Sequence, residues 1–201
     1  MISSQLHDGK HFARSYLRAA TGHLHAELDA RLAPLFKRGD AGYAQFLMSS
    51  ARALLPAEQA LTDGQVSTIL PDWPMRSRSL ALRHDLSVLS LPEPEMLPAP
   101  RIEGTAFLFG MLYVLEGSRL GAQWLLRQAS VSLSPAVRTA TRYLAHGQGL
   151  RLWATFLERL EASQPVRDEP RQAAAGACAA FELFLDASVD IAAEGGAVAR
   201  G

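Results

Sequence analysis

Along the chain, apolar positions recur three and four residues apart, and strict alternation is nowhere sustained. That period is helical. β-Branched residues are sparse while Ala, Leu, Arg and Glu dominate, so the sequence predicts an all-α, multi-helix fold. Phe12, Tyr16, Leu24, Leu28, Leu32 and Leu35 mark the apolar face of a first helix over 11–36, ended by Gly39-Asp40. A second helix is expected over 41–61, disturbed at Pro56 and closed by Thr62-Asp63-Gly64, and a third over 76–89. Pro92, Pro94, Pro98 and Pro100 then break any period and read as a linker. Beyond it come a long apolar helix over 103–128 and helices over 135–146, 150–162 and 171–192, separated by Gly147 and Gly149 and then by Pro165 and Pro170. The whole of 1–201 reads as a single domain, with 1–10 and 194–201 as flexible ends.

The helix over 103–128 conflicts with its own propensities. Gly117 and Gly121 lie in the middle of its apolar run, and each interior glycine costs a helix about 1 kcal/mol relative to alanine. A gain from close backbone approach would offset that cost. Gly110, Val114, Gly117 and Gly121 follow one another at spacings of four, three and four, which makes a shallow trough along one side, flanked by Ser118 and Gln123. The trough suits either a close helix crossing or a flat, mostly apolar ligand with a few polar edges.

On the first helix, Arg18, Thr21, His25 and Asp29 fall at spacings of three, four and four and share one polar stripe beside the leucine face. A histidine there, with a carboxylate one turn later to orient its ring, meets the needs of a metal-ligating imidazole. The same spacing also serves an ordinary surface pair. His23 points about 200° away at the helical angle per residue.

Composition narrows the partners. Hydrophobic residues make up 48% and charged residues 20%, enough for a core without staples. Formal net charge is zero, so no overall field favours nucleic acid or an anionic membrane. Lys10 and Lys37 are the only lysines, which leaves arginine, with its forked donors, to anchor an acidic ligand. The single cysteine, Cys178, excludes an intrachain disulfide and a Cys-rich metal site, and in its Ala-rich run it reads as a small buried hydrophobe. The start of the chain lacks a basic flank followed by an apolar core, so a cytoplasmic protein is expected. The apolar window 106–115 covers ten residues, whereas a bilayer takes about twenty. No paired Glu-x-x-His helices point to a di-iron centre, and His84-Asp85 reads as a surface pair.

Taken together, these motifs resemble a known family. The run 17–29, Leu-Arg-Ala-Ala-Thr-Gly-His-Leu-His-Ala-Glu-Leu-Asp, is similar to the proximal-helix signature of the haem oxygenase family, with His25 at the histidine position. The run 112–123, Leu-Tyr-Val-Leu-Glu-Gly-Ser-Arg-Leu-Gly-Ala-Gln, resembles its distal helix, in the form of the bacterial members found beside bacteriophytochromes. Gly149, Trp153 and Phe156 match a later family segment.

The resemblance implies a haem sandwiched between two helices. His25 would be the axial iron ligand, with Asp29 steadying its ring and Thr21 and Val114 beside the macrocycle. Gly117 and Gly121 would let backbone approach the haem face, and Arg18 would reach one propionate. Arg127, Arg142 and Arg151 are candidates for the second, with Arg127 taken as the cofactor-binding choice. Ser118 stands where animal members carry an aspartate that supports proton delivery, and Ala122 replaces a glycine. The implied reaction cleaves haem, both substrate and cofactor, to biliverdin, carbon monoxide and ferrous iron. No flavin or nicotinamide motif is present, so an external ferredoxin or reductase is expected to supply electrons, and a bacteriophytochrome is a possible receiver of the product. A non-catalytic haem protein for storage, transfer or sensing is the alternative on the same fold, and a cofactor-free helical interaction protein is a further one.

Overall fold

The structure, a computed structural model, describes residues 11–194. The expectation of flexible ends falls on 1–10 and 195–201, which lie outside the described residues, and on residue 194. The chain is all-α as expected, with no strand among the described residues. In order the helices are α1 (Phe12–Leu32), α2 (Gly39–Asp63), α3 (Trp73–Arg76), α4 (Ser79–Val88), α5 (Thr105–Ser132), α6 (Pro135–Arg138), α7 (Arg142–Ala145), α8 (Leu152–Ala162), α9 (Gln164–Asp168) and α10 (Pro170–Glu194).

Helix α1 has no side-chain cap of its own. Its first orphan donors are met from outside, by Glu161 of α8, whose carboxylate accepts from the backbone N–H of Ala13 at 3.0 Å and of Arg14 at 2.9 Å. An anion at the positive end of a helix is favourable, and here it also fixes α1 to α8. The expected helix over 11–36 stops at Leu32, just before Pro34, and a short 3-10 turn (Leu35–Arg38) follows.

Helix α2 runs straight through Pro56. A proline has no N–H, so the carbonyl four residues back loses its donor. That carbonyl, on Arg52, accepts instead from the N–H of Leu97 at 3.1 Å. The proline-rich segment is therefore irregular, as expected, yet docked rather than loose: Leu91, Met96 and Leu97 pack half-buried on the core.

Two helix starts sit at buried carboxylates. The expected helix over 76–89 is α4, which begins later, at Ser79, after the unanticipated short α3; at its start Glu58 of α2 accepts from the N–H groups of Arg78 (2.8 Å) and Ser79 (3.0 Å) and from the hydroxyls of Ser77 and Ser79. The segment 135–146 splits into α6 and α7, and Asp85 accepts from the N–H groups of Arg142 (3.1 Å) and Tyr143 (2.7 Å). Asp85 is thus fully buried, not the surface residue that the His84-Asp85 pair suggested. Its burial pushes the carboxyl pKa up, against the pull of those two N–H donors. Helix α9 was not anticipated. Its signal is local: Ser163 caps it, accepting from the N–H of Val166, and Pro165 sits in its first turn.

The crossing of α5 and α10 positions everything else. A Cβ built at Gly110 would lie 1.9 Å from the carbonyl oxygen of Ala173, and one at Gly176 would lie 2.2 Å from that of Phe107. The two backbones touch. Helix α10 also carries α1 and α2, and Cys178 on it is half-buried rather than fully buried. No described helix is long and apolar enough to cross a membrane.

Gly110→Ala puts a methyl group into backbone that has no rotamer to yield. Alanine improves helix propensity by about 1 kcal/mol, but overpacking costs about 1–3 kcal/mol and more where backbone must move. A lower thermal midpoint is expected, and an unchanged one would mean the crossing is looser than its geometry.

Candidate functional site

Helices α1 and α5 both lean on α10 and α8 yet share almost no contact with each other. The residues singled out from the sequence stand on these two helices. Each helix is met by an aromatic ring of a shared support: the Phe181 ring of α10 packs edge-on to His25 at 5.7 Å, and the Trp153 ring of α8 meets Tyr113 of α5 at 5.7 Å.

The glycine row divides in two. Gly110 serves the crossing with α10, so the helix-packing reading applies there. A Cβ at Gly117 would make only ordinary contact, 3.6 Å from the Trp153 ring, and one at Gly121 would meet nothing within 4 Å. Packing therefore does not demand glycine at these two positions. Val114 between them and Gly110 is buried, whereas Leu120 and Trp124 beside them are 52% and 48% exposed, large apolar side chains left in water along the glycine stretch.

On the facing helix, His25 is exposed and its Nδ1 stands 3.0 Å from Oδ2 of Asp29. Thr21 is buried, and its hydroxyl donates to the carbonyl of Leu17 at 2.8 Å. Arg18 is exposed. Burial pushes the Tyr113 phenol pKa up, and the positive charges of Arg14 and Arg18 pull it down. Both guanidinium groups therefore lie within electrostatic reach of Tyr113 on α5. Arg14, one turn before Arg18, escaped the sequence reading.

So did the polar structure behind α5. Glu116 is fully buried; Oε2 accepts from Nη1 of Arg76 at 2.7 Å and Oε1 from Nη2 of Arg119 at 2.7 Å. Arg76 also donates to the carbonyl of Leu152 (2.8 Å) and the hydroxyl of Thr155 (2.7 Å) on α8. Arg119 Nη1 lies 3.2 Å from Nδ1 of His146. Ser118 donates to the carbonyl of Leu115 at 2.8 Å and accepts from Nη1 of the buried Arg78 at 3.0 Å. One sign of this was legible: a glutamate inside an apolar helix needs a partner. Its partners, in Met75-Arg-Ser-Arg-Ser79, look like solvated loop.

Of the arginines considered for a second carboxylate, Arg127 and Arg151 line one cleft of about 520 Å³ with Arg119, Gln123 and His146, on the flank of α5 next to Trp153. Arg142 stands outside its lining, at the start of α7. Among the described residues no group of three His, Cys, Asp or Glu side chains could hold a bare metal ion.

The fold itself has a counterpart among solved structures. The NO- and CO-bound haem oxygenase from Neisseria meningitidis superposes with a TM-score of 0.71, covering 90% of this chain and 91% of that one at 24% identity; this defines a haem-oxygenase-like helical fold. No family model matches the chain. A heme oxygenase of Xanthomonas campestris pv. campestris is 35% identical over 146 residues, 71% of this chain and 86% of that protein. Heme oxygenase PigA of Pseudomonas aeruginosa is 34% identical over 125 residues, 60% of this chain and 63% of that protein. The chain belongs to the haem oxygenase family.

Burial, with the charges of Arg119 and Arg78, holds the His146 pKa below its ordinary 6.5. The unfolded chain therefore takes up this proton first as pH falls, so stability present above about pH 6.5 declines below it. The thermal midpoint is expected to drop between pH 7 and 5.5. His146→Gln keeps an acceptor for Arg119 without titrating, and should show a shallower drop; equal slopes would remove His146 from the acid response.

Proposed function

We propose that this chain binds haem between α1 and the glycine stretch of α5 and opens it oxidatively to biliverdin, carbon monoxide and ferrous iron. The observation that carries this reading is the contrast along one helix: Gly110 is required by packing, while Gly121 borders open space that no neighbour fills. Identity of 35% to a heme oxygenase over most of that protein's length supports the activity.

Bound haem supplies both the iron that activates oxygen and the ring that is cleaved. The residues fit such a group. With Nδ1 of His25 turned to Asp29, iron ligation falls to Nε2, and the carboxylate holds the ring in one tautomer and orientation. A neutral imidazole, unlike a thiolate, would not push electron density toward O–O cleavage. Gly117 and Gly121 offer backbone without side chains, against which a flat ring would lie, and Val114, Leu120 and Trp124 would be its apolar neighbours. Thr21 supports α1 from below the ring rather than offering it a hydroxyl.

Arg18, with Arg14 beside it, takes one propionate, and Arg127 takes the other, each through the fork that matches a carboxylate. Ser118 spends its proton on Leu115 and one lone pair on Arg78. Ser118 has no acidic proton to give, so proton delivery would fall to water rather than to this side chain. Electrons come from a separate ferredoxin or reductase.

Anaerobic loading with haem, followed by oxygen and ascorbate, tests the reading. Growth of a biliverdin band is expected. A lasting ferric or oxygen-bound spectrum without biliverdin would make the chain a haem carrier, and no Soret shift at all would make it a protein that binds no haem. His25→Ala should abolish the axial-histidine signature. Gly121→Ala should stabilise the haem-free protein by up to about 1 kcal/mol while weakening haem binding about tenfold, the equivalent of about 1.4 kcal/mol; if it leaves affinity unchanged, the ring does not lie on this backbone.

A further inference from the structure

The buried charges behind α5 are not needed to bind a flat ring, and they are costly to bury. A buried ion pair is weak evidence for stability, and its better-attested use is to hold one arrangement. What this one holds can be read from its partners. Glu116 immediately precedes Gly117. Its carboxylate grips Arg76 and Arg119 at 2.7 Å each, and Arg119 Nη2 also donates to the carbonyl of Arg76, which closes the triad. Arg76 then reaches α8 at two points, the carbonyl of Leu152 and the hydroxyl of Thr155. Those residues bracket Trp153, whose ring lies 3.6 Å from where a Cβ of Gly117 would be. All three members of the triad are at least nine-tenths buried, so water does not compete for these bonds.

The geometry points to Glu116 as a positioning residue: through Arg76 and Arg119 it ties α8 to α5 and sets where Trp153 stands beside Gly117, and with it the width of the trough and the seating of the ring. This rests on the haem reading for its consequence, though not for its structural half. The chain uses a second buried carboxylate, Glu58, in a different way, to cap the start of α4 with no bond to α8. Glu58 is therefore the control for loss of a buried charge without loss of this tie.

The quenching test uses the full chain with Trp124→Phe as background, and the haem-loading test keeps Trp124. Trp73 is 4% exposed, so acrylamide quenching of the haem-free protein then reports mainly on Trp153. Glu116→Gln is expected to raise the quenching constant about twofold, as local opening at α8 would, while Glu58→Gln lowers the thermal midpoint without raising it. Thr155→Val, which removes one contact of Arg76 and no charge, should move quenching in the same direction by less, and keeps the test alive if Glu116→Gln does not fold. On haem loading, Glu116→Gln should change the ferric spectrum and the ratio of biliverdin isomers, not merely the yield. Unchanged quenching in Glu116→Gln, or in Thr155→Val should that be the only folded variant, would overturn the proposal, as would equal quenching in Glu58→Gln. Should the parent protein fail to take up haem, the functional reading falls, and the quenching series still decides the role of Glu116.

Discussion

The α5–α10 crossing is the constraint on which the rest of the molecule depends. Two helices approach this closely only where neither carries a Cβ at the contact, and Gly110 and Gly176 each remove the atom that would strike the other backbone. Once α5 is pressed onto the first part of α10, its later half projects past the contact. Helix α1 packs elsewhere along α10 and is pinned to α8 by Glu161. The two walls of the trough are thus set by their separate grips on shared supports rather than by each other.

Charge does inside this protein what caps do at the surface. Glu58, Asp85 and Glu116 are all buried, and each is surrounded by donors that would otherwise be unsatisfied: the start of α4, the start of α7, and the guanidinium groups of Arg76 and Arg119. A buried carboxylate without such partners would cost several kcal/mol. With them, three short or broken helices are locked in place without long apolar faces.

The long helices were legible because their apolar period is sustained over many turns, and the trough was legible because glycines in such a helix contradict its propensity. The glycines themselves were legible only as a row. Sequence spacing places Gly110 and Gly121 on one face, but which of them touches a neighbour depends on where α10 ends its contact, a tertiary fact. The late start of α4 and the break within 139–141 were hidden for a related reason: they are stabilised by Glu58 and Asp85, which are distant in sequence. Pro56 looked like a disturbance and is not, because Leu97 satisfies the carbonyl it orphans. The pair His25 and Asp29 was readable from its spacing alone; Arg14 was missed because nothing in the first helix distinguishes one exposed arginine from another.

The two walls also differ in how firmly they are held. Behind Gly117 stand fully buried charges bonded to three other segments. On α1, by contrast, the fully buried residues are Ala13, Leu17 and Thr21, all in the half nearest its anchored start. From Leu24 onward the helix rests on half-buried leucines and on Arg31, which reaches the carbonyl of Leu185 at 3.0 Å. Free energies of local opening follow burial and backbone protection, so the segment carrying His25 opens at lower cost than the glycine wall opposite.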